Sequence, residues 1–280
     1  MTLNRKALKT ISLYVFVGLV ALAAFLYVRF PSALFRDYFI ASVAAGYPDL
    51  SLSLGDVKPR FPPALLLEKV ILQSKTRTDV SFQADSLIIQ PVLTSLLKGQ
   101  TSLNLHARGY GGRMEGAVTS RKSFSLSEPA KLTLAFENLP IERISCLHDF
   151  FGRTISGKLR GSLSFDGLFQ NFQDGKGQFK FTLMNGSYQL FENLAGFDKL
   201  DFNVVDGQAS LSDRILKIGK LTITDEKLNL SLKGEITLGA DNFKSSQLNL
   251  TGSIEVRTPV LKRVSFSLTG TMENPVTKLS

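Results

Sequence analysis

The one stretch whose residue types suggest covalent chemistry is Cys146-Leu147-His148-Asp149, which sets a thiol, an imidazole and a carboxylate within four positions. Nucleophile, base and orienting acid must converge from different directions, and immediate sequence neighbours rarely do. The chain has two histidines, and His106 lies in an alternating, strand-like stretch, so no histidine-based metal cluster assembles. No Gly-x-Ser-x-Gly elbow occurs, and Gly175-Lys176 lacks both the glycine spacing and the Ser/Thr of a phosphate loop. Asp49, Asp56, Asp166 and Asp225 stand singly at predicted strand ends or turns, where carboxylates support turn geometry. No acidic pair points to calcium or to glycoside hydrolysis. The expectation is a protein that is not an enzyme and carries no cofactor or metal.

Charge does not supply a function either. The net charge is +9, but Arg5, Lys6, Lys9 and Arg29 supply four of those charges, leaving 29 basic and 24 acidic groups over the remaining 251 residues. That is an ordinary, mildly basic surface without the basic-aromatic runs of a nucleic-acid reader, so nucleic acid is not an expected partner. Apolar residues make up 44% of the chain and charged ones 20%, enough to bury a core; Phe at 21 and Trp at 0 make phenylalanine the bulky packing residue. Cys146 is the single cysteine, which excludes an intrachain disulfide.

The elements that position everything else begin with a membrane signal. From Thr10 to Val28 no residue is charged, and nineteen helical residues rise roughly 28 Å, close to the thickness of a bilayer core. Ile11, Val15, Leu19, Leu22 and Leu26 belong to this apolar run, Tyr14 and Tyr27 lie near its ends, and Arg5, Lys6 and Lys9 precede it. The positive-inside rule therefore places residues 1–9 in the cytoplasm, 10–29 in the membrane, and the rest across it. Ala21-Leu22-Ala23 is a small-x-small site that signal peptidase could cut, but apolar residues continue through Val28, so an anchor is expected rather than a cleaved leader.

Residues 30–47 predict a short amphipathic helix: Pro31 opens it, Phe35, Phe39 and Val43 recur every four positions, and Gly46 and Pro48 stop it. It can either lie on the outer leaflet or cap the end of a sheet. Over 48–280 the period becomes two, predicting some fourteen strands, with helical interruptions only at 91–97 and 140–151. Asn185-Gly186 reads as a turn, and Asp206-Gly207 as a type I′ hairpin between strands over 200–205 and 208–211. One face of each strand is apolar and the other polar, as in Leu221, Ile223, Leu228, Leu230 and Leu232. The predicted class is mainly β, a curved antiparallel sheet that must cover its own apolar face.

A repeat runs through these strands: Leu159-Arg-Gly161-Ser-Leu163, Leu232-Lys-Gly234-Glu-Ile236, Leu250-Thr-Gly252-Ser-Ile254 and Leu268-Thr-Gly270-Thr-Met272, with Met114-Glu-Gly116-Ala-Val118 a looser copy. Positions i, i+2 and i+4 share a face, so each glycine lies on the apolar side between two large residues. There it either bends the strand or leaves a slot for something such as an acyl chain, and these residues are the candidate lining of a core or a groove.

The order of several pieces resembles a known family. A basic start, one span and a proline-led helix are followed by Phe61-Pro-Pro63 running into Leu67-Glu-Lys-Val70, then Leu96-Leu-Lys-Gly99, Tyr110-Gly-Gly-Arg-Met-Glu-Gly116 and Leu268-Thr-Gly-Thr-Met-Glu-Asn-Pro275. Together they are similar to the GspN family of the type II secretion system, in its β-rich variety, and to the wider AsmA-like group of envelope proteins. The resemblance implies a bacterial inner-membrane protein with a periplasmic domain, an accessory part of a protein-secretion machine with other secretion-system envelope proteins as partners. For the AsmA-like group it implies instead a tall curved sheet with an apolar interior, associated with lipid homeostasis and with phospholipid as the bound partner. Stacked at about 4.8 Å, a dozen or so strands reach only roughly 60 Å, short of a complete bridge across the periplasm.

Overall fold

The computed structural model describes residues 5–75, 81–121, 128–144, 154–194, 197–225, 228–239, 245–256 and 262–279. Helix α1 (Arg5–Val28) is followed after a turn by α2 (Ser32–Gly46). Among the residues with described side chains no unbroken stretch of helix is long and apolar enough to cross a membrane. The side chains at 5–10, 12, 19, 20, 23, 24 and 26 fall outside the description and interrupt the run; Leu19 and Leu26 are among them, while Ile11, Val15 and Leu22 are exposed.

Among the described residues the strands after α2 form one antiparallel sheet of fifteen. These are β1 (Leu50–Ser53), β2 (Val57–Arg60), β3 (Ala64–Ser74), β4 (Ser81–Pro91), β5 (Thr101–Gly109), β6 (Gly112–Ser120), β7 (Ala130–Pro140), β8 (Ile155–Gly167), β9 (Lys176–Leu194), β10 (Phe197–Ser212), β11 (Ile215–Thr224), β12 (Leu228–Thr237), β13 (Gln247–Val256), β14 (Lys262–Thr271) and β15 (Pro275–Leu279). From β3 onward each strand pairs with its successor, and β1 and β2 share the free side of β3 end to end. One four-residue helix, α3 (Leu93–Leu96), interrupts the meander, and short 3₁₀ segments cover Ile141–Arg143 and Phe169–Asp174. The expected helix over 140–151 is thus a single 3₁₀ turn as far as it is described, and the rest of it lies outside the described residues.

Two expected turns are interior to strands. Asp206-Gly207 does not close a hairpin: β10 runs through it, Gly207 pairing with Phe181 on one side and Leu221 on the other. The two-residue turn with positive φ comes later, at Asp213 (φ 52) and Arg214 (φ 63), and the Arg214 carbonyl accepts the Leu238 N–H at 2.8 Å. Asn185-Gly186 likewise sits inside β9; Asn185 has φ 50, and the register with β8 shifts there, which marks a β-bulge rather than a chain reversal. Strands β2 and β15, four and five residues long, are additions to the expected set.

The apolar side chains gather in three clusters, each drawn from strands adjacent in the ladder. Leu54, Val57, Leu67, Val70 and Ala84 pack beneath Phe30, Phe39 and Ile40, so α2 caps the first end of the sheet. Ile141, Leu183, Phe202 and Val205 form the second cluster, and Ile236, Leu238, Leu248 and Leu250 the third. Each cluster joins neighbouring strands of the ladder among the described residues.

Candidate functional site

Strand register decides what the apolar face is. Following the pairs one strand at a time gives Val57, Leu67, Leu87, Ala107, Met114, Phe136, Gly161, Phe181, Gly207, Leu221, Leu232, Gly252, Phe266 and Leu279. This row crosses β2 to β15 at right angles to the strands without one polar side chain. A parallel row, Leu159, Leu183, Val205, Ile223, Leu230, Ile254 and Val264, crosses β8 to β14. Further rows hold Gly234, Leu250 and Leu268, and Ile236, Leu248 and Gly270, while Leu163 stands between Leu134 and Phe179. The fourteen predicted lining residues therefore share one continuous surface.

The glycines on that surface do not leave slots. A Cβ on Gly252 would come within 2.5 Å of the Phe266 ring, one on Gly161 within 2.9 Å of Phe136, and one on Gly186 within 2.7 Å of Phe202. The ring of Phe181 covers Gly207 in the same way. The gap is filled by an aromatic from the adjacent strand, which corrects the reading of these glycines as openings. Gly234 and Gly270 act as bends instead, with φ of 141° and 88°. Sequence reasoning missed the rings of Phe136, Phe181, Phe202 and Phe266; the excess of Phe over Trp was their only signal, because the partner of each glycine is set by pairing between separate strands.

Exposure along this face is uneven in an informative way. Leu183, Phe202, Ile236, Leu248 and Leu250 are 4 to 7% exposed, packed with Ile141 and Val205 in one cluster and with Leu238 in the other. Leu159, Leu163, Leu221, Ile223, Leu230, Leu232, Ile254 and Leu268 on the same face are only half-buried. The whole chain exposes 18581 Å², whereas a compact monomer of 30.8 kDa exposes about 12,000 Å².

The opposite face carries charges in cross-strand pairs. Lys217 Nζ lies 3.2 Å from Glu235 Oε1, Arg263 Nε 3.5 Å from Glu255 Oε1, and Thr182 donates to Asp206 at 2.7 Å. Lys58 donates to Glu68 at 2.8 Å, and that bond holds its ammonium above the ordinary lysine value; the bond from Arg113 to Glu137 does the same for the guanidinium. Depressions on this face are shallow and mixed: one of about 400 Å³ is flanked by Arg160, Lys180, Asp206 and Lys220, another of about 720 Å³ by His106, Arg108 and Glu115. His106 Nδ1 lies 3.9 Å from Glu115 Oε1, both exposed, and the serine lining that depression, Ser86, pairs across the ladder with Arg108 rather than with His106. Cys146, His148 and Asp149 lie outside the described residues. Among the described residues no group of three His, Cys, Asp or Glu could hold a metal ion. Compared with known protein families, curated proteins and solved structures, the chain matches none.

Proposed function

We propose that this protein is a membrane-anchored, non-catalytic trough that holds lipid acyl chains along the apolar face of its sheet. The observation that carries the reading is the unbroken apolar row from Val57 to Leu279, with Leu221, Leu230, Leu232 and Ile254 on that face only half-buried. Thirteen steps of about 4.8 Å give the row a length of roughly 62 Å, and apolar contact gains about 25 cal/mol per Å², so a hydrocarbon chain lying across the strands displaces water along its whole length. The uncharged stretch 10–28 of helix α1 would hold the first end of the trough at the bilayer, with residues 1–9 in the cytoplasm and the sheet in the periplasm. The AsmA-like resemblance agrees with this reading and the secretion role of the GspN family remains the second, supported by the order of sequence pieces alone.

Photocrosslinking in intact cells tests the first reading. A benzophenone amino acid at Leu221 or Leu232, on the apolar row, should capture phospholipid, and at Lys220 or Lys233, on the opposite face, should not. Capture of secretion-machine proteins at the apolar positions, with no lipid adduct, would replace the trough by a docking surface. Anchor and topology are read separately: protease added to spheroplasts should digest the sheet while the chain still begins at Met1 or Thr2, whereas an N-terminus at Ala24 would mean a cleaved leader.

A further inference from the structure

We infer that one rim of the sheet, beside the end capped by α2, is itself a bilayer-contacting surface made of loop tips. The ladder brings the tips together. Arg60 pairs with Ala64, Leu65 with Ile89, and Pro91 with Leu103, so the β2–β3 turn at 61–63 and the β4–β5 loop at 92–100 leave the sheet on the same side, about two strand spacings or 10 Å apart. Phe61 and Leu97 are each 90% exposed there, and Leu93 and Leu96 are exposed beside them.

Helix α2 points to the same rim. Its C-terminus leads through Tyr47 into β1, which begins opposite Ser74 at the far end of β3, and the helix lies against both β1 and β2, so its N-terminal turns run toward Arg60. Those turns expose Leu34 and Tyr38, and the chain entering them comes directly from α1 through Arg29 and Phe30, the latter stacked on Phe35 at 4.7 Å. Arg60 and Lys98 flank the loop apolars, and neither 61–63 nor 92–100 contains an acidic residue. Exposed aliphatic and aromatic tips rimmed by cations match the chemistry of an anionic phospholipid headgroup layer. On the opposite side the described β5–β6 turn turns its aromatic inward: Tyr110 sits edge-on to Phe82 at 6.1 Å and its hydroxyl accepts the Gln83 N–H at 2.7 Å. Contact along the rim would fix the tilt of the first strands on the bilayer, where one flexible joint after α1 would leave it free.

The inference rests on α1 being the anchor, and the test separates the two. In the full chain with Cys146→Ser, single cysteines replace Leu97, Phe61, Phe172 or Leu22 and carry an environment-sensitive nitrobenzoxadiazole label, with the protein reconstituted into vesicles of phosphatidylcholine and phosphatidylglycerol. Labels at 61 and 97 should be blue-shifted and lose fluorescence to lipids bearing a shallow nitroxide. The label at 172, on the β8–β9 connection four strands beyond the β4–β5 loop, should remain water-like, and the label at 22 should be quenched by a deep nitroxide. Labels at 61 and 97 as water-like as the one at 172, with 22 quenched, would overturn the rim and leave the anchor standing; loss of quenching at 22 would overturn both. Arg60→Gln with Lys98→Gln should reduce the blue shift at 97 in anionic vesicles and leave it unchanged in neutral ones.

Discussion

Gly207→Ala separates the sheet described here from a hairpin centred on the same residue. Gly207 has an ordinary strand conformation, and the three atoms nearest an added Cβ all belong to the Phe181 ring, Cδ1 at 2.9 Å and two others closer. The methyl must displace the ring by about 1 Å, and overpacking of that kind costs about 1–3 kcal/mol. Alanine recovers about 0.5–1 kcal/mol of backbone entropy relative to glycine within a strand, so the net loss is about 1–2 kcal/mol. Phe181→Leu shortens the side chain and removes the stacking on Phe179, whose centroid is 5.1 Å away, at about 1 kcal/mol. In that background Gly207→Ala should become neutral or slightly stabilising, a coupling of about 2 kcal/mol in the double-mutant cycle. Thermal unfolding of the full chain in detergent, followed by circular dichroism, reads this as a drop of about 2–8 °C for the single glycine variant that vanishes when Phe181 is leucine. An equal loss in both backgrounds would refute the ring-over-glycine packing and return Gly207 to a position chosen for its backbone freedom.

Leu250→Ala should cost about 2–4 kcal/mol, whereas Leu230→Ala on the same face should cost only about 1 kcal/mol, because Leu250 is 4% exposed and Leu230 half-exposed; equal losses would indicate a closed core. Ser246 is fully buried, its hydroxyl accepting the Gly239 N–H at 3.1 Å, so Ser246→Ala should destabilise by about 1–2 kcal/mol, checked by the same melts. Lys58 titrates above its ordinary 10.5 because of its bond to Glu68; a raised folded value stabilises below that pH and the contribution fades as pH climbs through it. The small difference in melting temperature between the protein and Lys58→Met should therefore be constant from pH 7 to 9 and shrink as the pH rises past 10.5, which a pH series of melts would show.

Local periodicity carried most of the strand assignment. The prediction of β11 over 215–224 coincides with the observed strand, and most other strands were placed to within a few residues, because alternation of large apolar and polar side chains needs no knowledge of the partner strand. Where the answer depended on pairing, local signals misled. Asp206-Gly207 has the composition of a type I′ turn, but Gly207 is needed under the Phe181 ring, and the turn falls on Asp213-Arg214, a pair with no glycine at all. Strands β2 and β15 escaped notice since four or five residues show too few alternations to count, and both exist only because β3 and β14 offer them an edge.

The sequence by itself determined the class, an antiparallel sheet with one apolar face behind an uncharged helical segment, since this follows from the identity and spacing of neighbours along the chain. Only the tertiary structure decided which ring lies over which glycine and which apolar side chains of that face are buried. Both are set by register between residues dozens of positions apart. Leu250 is buried while Leu159, Leu221, Leu230 and Ile254 on the same face are only partly so, and no residue on those strands states in isolation which of the two it will be.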